Sequence, residues 1–214
     1  MIELAEHKIP EDLVRYIESE IVPMYDSFDK GHGREHVNYV ISQSLELSGH
    51  YPVNQSIVYT AAAYHDTGLK EGRKTHHIVS ARIVREDKRL HKWFTNSEIE
   101  TIAEAAEDHR ASLGYEPRSI YGKIVAEADR QIEPLTVIRR CIQFGLSHYP
   151  GLSKEEHFRR VEEHLREKYG DGGYLRLWIP ESENAIKIKE LREMIYDSGR
   201  LEDCFDSIFS EETD

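Results

Sequence analysis

Apolar residues recur every three or four positions along almost the whole chain, and that period commits it to helices. Leu13, Ile17 and Ile21 follow the acidic start Pro10-Glu11-Asp12, the pattern of one buried helical face behind an acidic first turn. Pro23 should end or kink this helix, because it has no N–H to donate. Val37, Val40, Ile41, Ser44, Leu45 and Ser48 mark a second helix, behind the loop glycines Gly31 and Gly33. The alanine-rich run from Ile57 to Asp66 suits close packing, and Val79 and Ile83 continue a helix that begins near Thr75 to His77. Thr95-Asn96-Ser97-Glu98 and Ser153-Lys154-Glu155-Glu156 have the form of capping boxes, which satisfy orphan N–H groups at a helix start. Further helices are expected around Tyr121 to Ala128, Leu135 to Ile142, Ile188 to Ile195 and Leu201 to Phe209. Gly170 is placed to stop the helix before it. Tyr174 to Ile179 reads as briefly extended, too short for a sheet. The expected fold is all-α: a compact bundle of eight to ten helices. It comprises an N-terminal helix (1–27) packed on a core (28–134), with a C-terminal helical extension (135–214) in the same compact unit. The last five residues should fray.

Charge narrows the function. The 214 residues carry a formal net charge of −12, which argues against a nucleic-acid polymer as partner, since phosphate backbones are bound by clustered Lys and Arg. A small phosphate ester is compatible if positive charge is supplied locally. The start MIELAEHKIPED lacks a basic segment followed by an apolar one, so no secretory signal is expected. The most apolar stretch, Ile57 to Tyr64, is too short to span a bilayer, so no membrane partner is expected. Cys141 and Cys204, far apart, are read as reduced packing residues. A cytoplasmic location is the expectation. The 12 histidines are the unusual feature, and only their placement carries an argument.

His65-Asp66 closes the run Ala61-Ala62-Ala63-Tyr64 and precedes Thr67-Gly68. That context predicts a buried helix delivering an imidazole and a carboxylate at its C-terminal end. A buried carboxylate is costly unless paired or metal-bound, and His with Asp suits a divalent cation of intermediate softness. His36 lies one turn before Val40, and Asp129 one turn after Val125, each beside an apolar face. His36, His65, Asp66 and Asp129, from separate helices, make an N2O2 ligand set that leaves positions open for water and substrate.

These segments stand as GHGREHV, AAAYHDTGL and IVAEADR. In order and setting they resemble the HD superfamily of metal-dependent phosphohydrolases, whose pattern is H…HD…D; the resemblance covers about residues 28 to 132. It implies an HD-domain bundle, with 28–134 as its metal-binding core. His77, in His-Ile-Val-Ser-Ala, is similar to the His-x-x-Ser/Gly-Ala segment that often follows the HD pair. With His109 it would serve a second metal or the pocket. His32, His50, His76 and His91 are expected on the surface. Lys70, Arg73, Arg34, Arg110 and Arg130 flank the motifs and are candidates for phosphate binding, Arg through paired hydrogen bonds and Lys as a point charge. Lys70 and Arg73 come first.

The implied reaction is hydrolysis of a nucleotide or other small phosphate ester, at a phosphomonoester, phosphodiester or pyrophosphate bond, by water activated on one or two cations. Asp66 binds metal and orients that water. Mn, Fe, Co, Ni, Zn and Mg all suit the set. Gly31-His32-Gly33 lacks the spacing and Lys-Ser/Thr ending of a phosphate-cradling loop. The aromatic region Tyr149 to Ile179, with Tyr169, Tyr174 and Trp178, is read as core packing ahead of a lid over the site. The alternatives are a di-iron oxygenase on the same scaffold and a non-catalytic nucleotide-binding module. A homodimer is left open.

Overall fold

A computed structural model describes residues 9–213. The expectation about a secretory signal at Met1–Lys8, and that of fraying at Asp214, lie outside the described residues. Among the described residues there are ten α-helices and no strand, and no helix is long and apolar enough to cross a membrane. The chain divides into two compact units. One is residues 1–130 with 178–182; the other is residues 131–177 with 183–214.

The first unit opens with α1 (Glu11–Tyr16). The helix does not simply run to Pro23. It widens into a π turn at Ile17–Ile21 and tightens into a 3-10 turn at Val22–Ser27, with Pro23 in the first positions of that turn. Leu13, Ile17, Ile21 and Tyr25 stay buried through these changes. Next come α2 (Arg34–Ser48), α3 (Gln55–Tyr64), α4 (His76–Glu86), α5 (Asn96–Asp108) and α6 (Ile120–Arg130). Every residue of α3 from Ile57 to Tyr64 is buried, so this stretch is enclosed on all sides, and its one hydroxyl without a ring, Thr60, donates back to the Ser56 carbonyl at 2.8 Å. It packs against α2, α5 and α6. The Thr95–Glu98 capping box starts α5. A short return segment, Trp178–Ser182, belongs to this unit. Glu127 of α6 accepts the backbone N–H of Trp178 at 2.7 Å and of Ile179 at 3.4 Å, and Ile179 joins the core. Trp178 packs against that core, whereas Tyr174 is exposed.

The second unit holds α7 (Pro134–His148), α8 (Lys154–Tyr169), α9 (Asn184–Tyr196) and α10 (Ser198–Thr213). α7 packs on α8 and α10, and α9 on α8 and α10. The Ser153–Glu156 capping box starts α8. Ile138, Ile142, Val161, Leu165, Leu191, Ile195, Leu201 and Phe205 are its buried apolar residues. The fraying expected at the C-terminus is corrected: α10 continues to Thr213. Arg139 of α7 pairs with Glu211 and Glu212, both at 2.6 Å, and Gln143 donates to Glu212 at 3.0 Å, so the last turn is tied down.

Candidate metal centre

Each titratable side chain of the site sits where a helix starts or stops. His36 lies in the first turn of α2, and Asp129 in the last turn of α6. His65 and Asp66 follow the end of α3 directly. Tyr25 pins them: its hydroxyl donates to the Ala63 carbonyl at 2.9 Å and accepts the Asp66 N–H at 3.2 Å. Thr67 Oγ1 donates to the Tyr64 carbonyl at 2.8 Å. The chain then turns at Gly68, whose N–H donates to Ser80 Oγ at 2.9 Å. A Cβ at Gly68 would stand 2.1 Å from the His76 carbonyl oxygen, so glycine is what lets the HD turn close onto the start of α4. That approach brings His76 to Asp66.

The result is two groups that share one carboxylate. In the first, His36 Nε2 is 3.2 Å from His65 Nε2 and 3.2 Å from Asp129 Oδ1. Asp66 Oδ2 is 3.3 Å from His65 Nε2 and 3.7 Å from His36 Nε2. In the second, His76 Nε2 and His109 Nε2 are 3.1 Å apart. Asp66 Oδ1 lies 3.3 Å from the former and 3.4 Å from the latter. Asp66 thus turns one oxygen to each histidine pair. The Asp66 side chain is 4% exposed, whereas that of Asp129 is 21% exposed, so the first group opens to solvent on the Asp129 side.

Hydrogen bonding tests whether cations fit here. His65, His76 and His109 each place Nδ1 against a backbone carbonyl, of Ala62 at 2.7 Å, Arg73 at 2.7 Å and Ala106 at 2.6 Å. A carbonyl only accepts, so Nδ1 carries a proton, and each ring in its neutral form turns a bare Nε2 lone pair inward. Two facing lone pairs repel unless a proton or a cation lies between them. Ligand nitrogens at 2.0–2.1 Å from a tetrahedral ion are themselves roughly 3.3 Å apart, close to both observed separations. His36 Nδ1 is buried without a hydrogen-bond partner, so the tautomer of this ring is not fixed from behind. The residues fit divalent cations.

Without a cation, a proton takes its place on His65: burial opposes charge there, but the Asp66 and Asp129 carboxylates outweigh it and lift its pKa to about 9, so a cation bound at Nε2 displaces that proton. Burial, and then His109, push His76 down to about 4. Burial would raise Asp66 and Asp129, yet the imidazoles around them hold both well below the ordinary carboxylate range. Both remain anionic and available to a cation.

The structure brings His36, His65, Asp66 and Asp129 together, and places His109 in the second group. It does not place His77 there. His77 Nδ1 lies 3.4 Å from Arg110 Nη1, and burial followed by that guanidinium lowers its pKa. His76, expected on the surface, is buried and occupies the position instead. The spacing does not separate the two, since each heads a buried row at a spacing of four, His76 with Ser80 and Val84 and His77 with Ala81. His50 and His91 are exposed as expected, and His32 is half-buried, donating to Asp29 at 2.8 Å.

The basic candidates separate as well. Arg34 is exposed and pairs with Asp26. Arg110 donates to Ser112 Oγ at 2.8 Å and to the Lys74 carbonyl. Arg130 is buried and donates to the His109 carbonyl at 2.8 Å, 3.9 Å from Asp129 Oδ2, so it braces both groups rather than facing solvent. Lys70 and Arg73 remain exposed beside the HD turn.

No curated protein and no solved structure matches the chain. The family model of the HD domain matches residues 33–131, a span that holds all six side chains of the two groups. A histidine, an adjacent His-Asp pair and a late aspartate converge within that span as the geometry requires, and residues 33–131 of the chain are an HD domain.

Proposed function

We propose that this protein is a metal-dependent phosphohydrolase with a two-cation centre, acting on a nucleotide or another small phosphate ester. One observation carries the reading: the carboxylate of Asp66 offers one oxygen to the His36–His65 pair and the other to the His76–His109 pair. His36, His65, Asp66 and Asp129 would hold one cation, and Asp66, His76 and His109 the other. Bound divalent cations supply Lewis acidity, lowering the pKa of water and neutralising charge on phosphoryl oxygens.

The side chains have separate tasks. Both Asp66 oxygens are committed to histidine pairs, so its part is to hold the two sites together. Asp129 keeps its charge and has access to solvent, and can accept a hydrogen bond from the attacking water. In the reaction the water oxygen bonds to phosphorus, the phosphorus–oxygen bond to the leaving group breaks, and the water's proton passes to the leaving oxygen. Lys70 and Arg73 bear the cationic charge that would meet the phosphate.

The test is a phosphate-release screen over nucleotides and sugar phosphates with several divalent metals, run on wild type, His65→Ala and Asp66→Ala. Both variants should lose metal and hydrolysis together while far-UV circular dichroism shows them folded. Undiminished hydrolysis by a folded, metal-free variant overturns the mechanism. The two histidine pairs also favour a second reading, a di-iron oxygenase. Oxygen uptake by the iron-loaded protein without phosphate release would decide for it.

A further inference from the structure

Ser27, Phe28, Asp29, Leu69 and Arg73 line a cavity of about 240 Å³ that the proposed chemistry leaves unused. Both of its walls lead to the histidine groups. On one wall Asp29 Oδ1 accepts from His32 Nδ1 at 2.8 Å, and the His32 ring meets the His36 ring edge-on at 5.8 Å between centroids. Phe28 stands edge-on to Tyr25 at 5.4 Å, and Tyr25 lies 6.1 Å from the His65 ring. On the other wall the Leu69 N–H donates to the Asp66 carbonyl at 2.9 Å, and the Arg73 carbonyl accepts from His76 Nδ1 at 2.7 Å. Leu69 and Arg73 thus touch residues of the centre directly, and Phe28 and Asp29 reach it through one intermediate ring each.

Its lining is chemically mixed. Arg73 suits a phosphate oxygen. Phe28 and Leu69 suit a flat, apolar face, and aromatic stacking on a base is worth about 1–3 kcal/mol. Asp29 accepts hydrogen bonds, as an acidic side chain does from ribose hydroxyls in dinucleotide sites. A bare phosphate uses only the first of these; a nucleoside phosphate uses all three. The volume lies below the roughly 300–1,000 Å³ of pockets that hold drug-sized ligands, so it takes one nucleoside with part of it in solvent, and not a polymer.

Building on the phosphohydrolase reading, we infer that this cleft is the base and sugar subsite for a ribonucleoside phosphate: Phe28 and Leu69 grip the base, Asp29 binds the ribose hydroxyls and Arg73 meets the phosphate. Phe28 and Asp29 then determine specificity.

Binding can be read without turnover. Calorimetry on the metal-loaded protein would use the methylene-phosphonate analogue of AMP, which has no hydrolysable ester bond. Its 2′-deoxy counterpart and the base-free ribose counterpart complete the set. The AMP analogue should bind at least tenfold more tightly than the ribose one. Phe28→Ala should bring the two together, while Phe28→Trp, which keeps a flat face, retains the preference and controls for misfolding. Asp29→Asn should close the gap between ribo and deoxy analogues. Arg73→Ala, at an exposed position, should weaken all three alike. Equal binding of the AMP and ribose analogues to wild type, or unchanged AMP-analogue binding in Phe28→Ala, overturns the subsite. Selective binding by a protein that turns over no phosphate ester supports the subsite and removes only the hydrolase reading.

Discussion

Asp66 sets the terms at the scale of single residues. Its carboxylate is almost fully buried, and burial alone would drive it towards the neutral acid; the imidazoles of His65 and His109 reverse that. Because each oxygen serves a different pair, the two pairs are open to separate tests. His76→Ala should lower bound metal from two equivalents to about one by elemental analysis, whereas His77→Ala should keep two. Metal loss in His77→Ala and not in His76→Ala would reverse the assignment. Arg130 offers a finer probe, since its guanidinium holds the His109 carbonyl behind the second group. Loss of such outer partners typically weakens metal binding by about 10–100-fold. Arg130→Met should show that loss at the second equivalent, in titrations with a metal-sensitive dye. Adjacent histidines are where sequence alone gives least guidance. His76 and His77 are rotated by only about 100° around the helix, and both are buried.

At the scale of elements, the turn between α3 and α4 is the tightest structural requirement of the site. A methyl at Gly68 meets the backbone of His76 at 2.1 Å and of Ser80 at 2.6 Å, and backbone cannot rotate out of the way as a side chain can. Gly68→Ala should therefore destabilise the protein by about 1–3 kcal/mol, the usual cost of overpacking. This would be seen as a lower denaturant midpoint at unchanged slope, together with weaker binding of the second metal. A second junction lies beyond α4, where Asp87 caps the 3-10 turn Lys88–Lys92 through the Arg89 N–H at 3.0 Å. Asp87 also accepts hydrogen bonds from the hydroxyls of Tyr16 and Tyr64. Burial raises its pKa, but the two tyrosines outweigh burial and leave it below the ordinary 3.8. A folded-state pKa below the unfolded one gives stability that is complete above 3.8 and is lost as pH falls through the folded value. Asp87→Asn should thus lower the melting temperature at neutral pH, and its deficit against wild type should shrink in melts below pH 3.8. A deficit that stays constant down to that range would show that the charge plays no part. The capping boxes and the buried alanine run were legible because each depends on residues within a turn or two of one another. The π and 3-10 turns at Ile17–Ser27 were not, because local period is the same until packing decides how tightly the helix winds.

The whole molecule bears on how an anionic ligand arrives. A net charge of −12 repels a phosphate ester at long range, while the exposed Lys70 and Arg73 beside the HD turn act only nearby. Raising ionic strength from about 0.01 M to 0.15 M shortens the screening length from about 30 Å to about 8 Å. The value of kcat/KM for an anionic substrate should therefore rise with salt over that range, and a fall would place the dominant field at Lys70 and Arg73. Taken by itself, the sequence determined the all-helical fold, its caps, and the His and Asp residues that meet in the first group, because helix period and buried polar placement are encoded within a few neighbouring positions. The tertiary structure decided that His76 rather than His77 faces Asp66, that Arg130 braces His109 instead of meeting substrate, and that residues 178–182 return to the first unit. Those outcomes depend on contacts between segments tens of residues apart, where the rotation of one helix against another sets which side chain points inward.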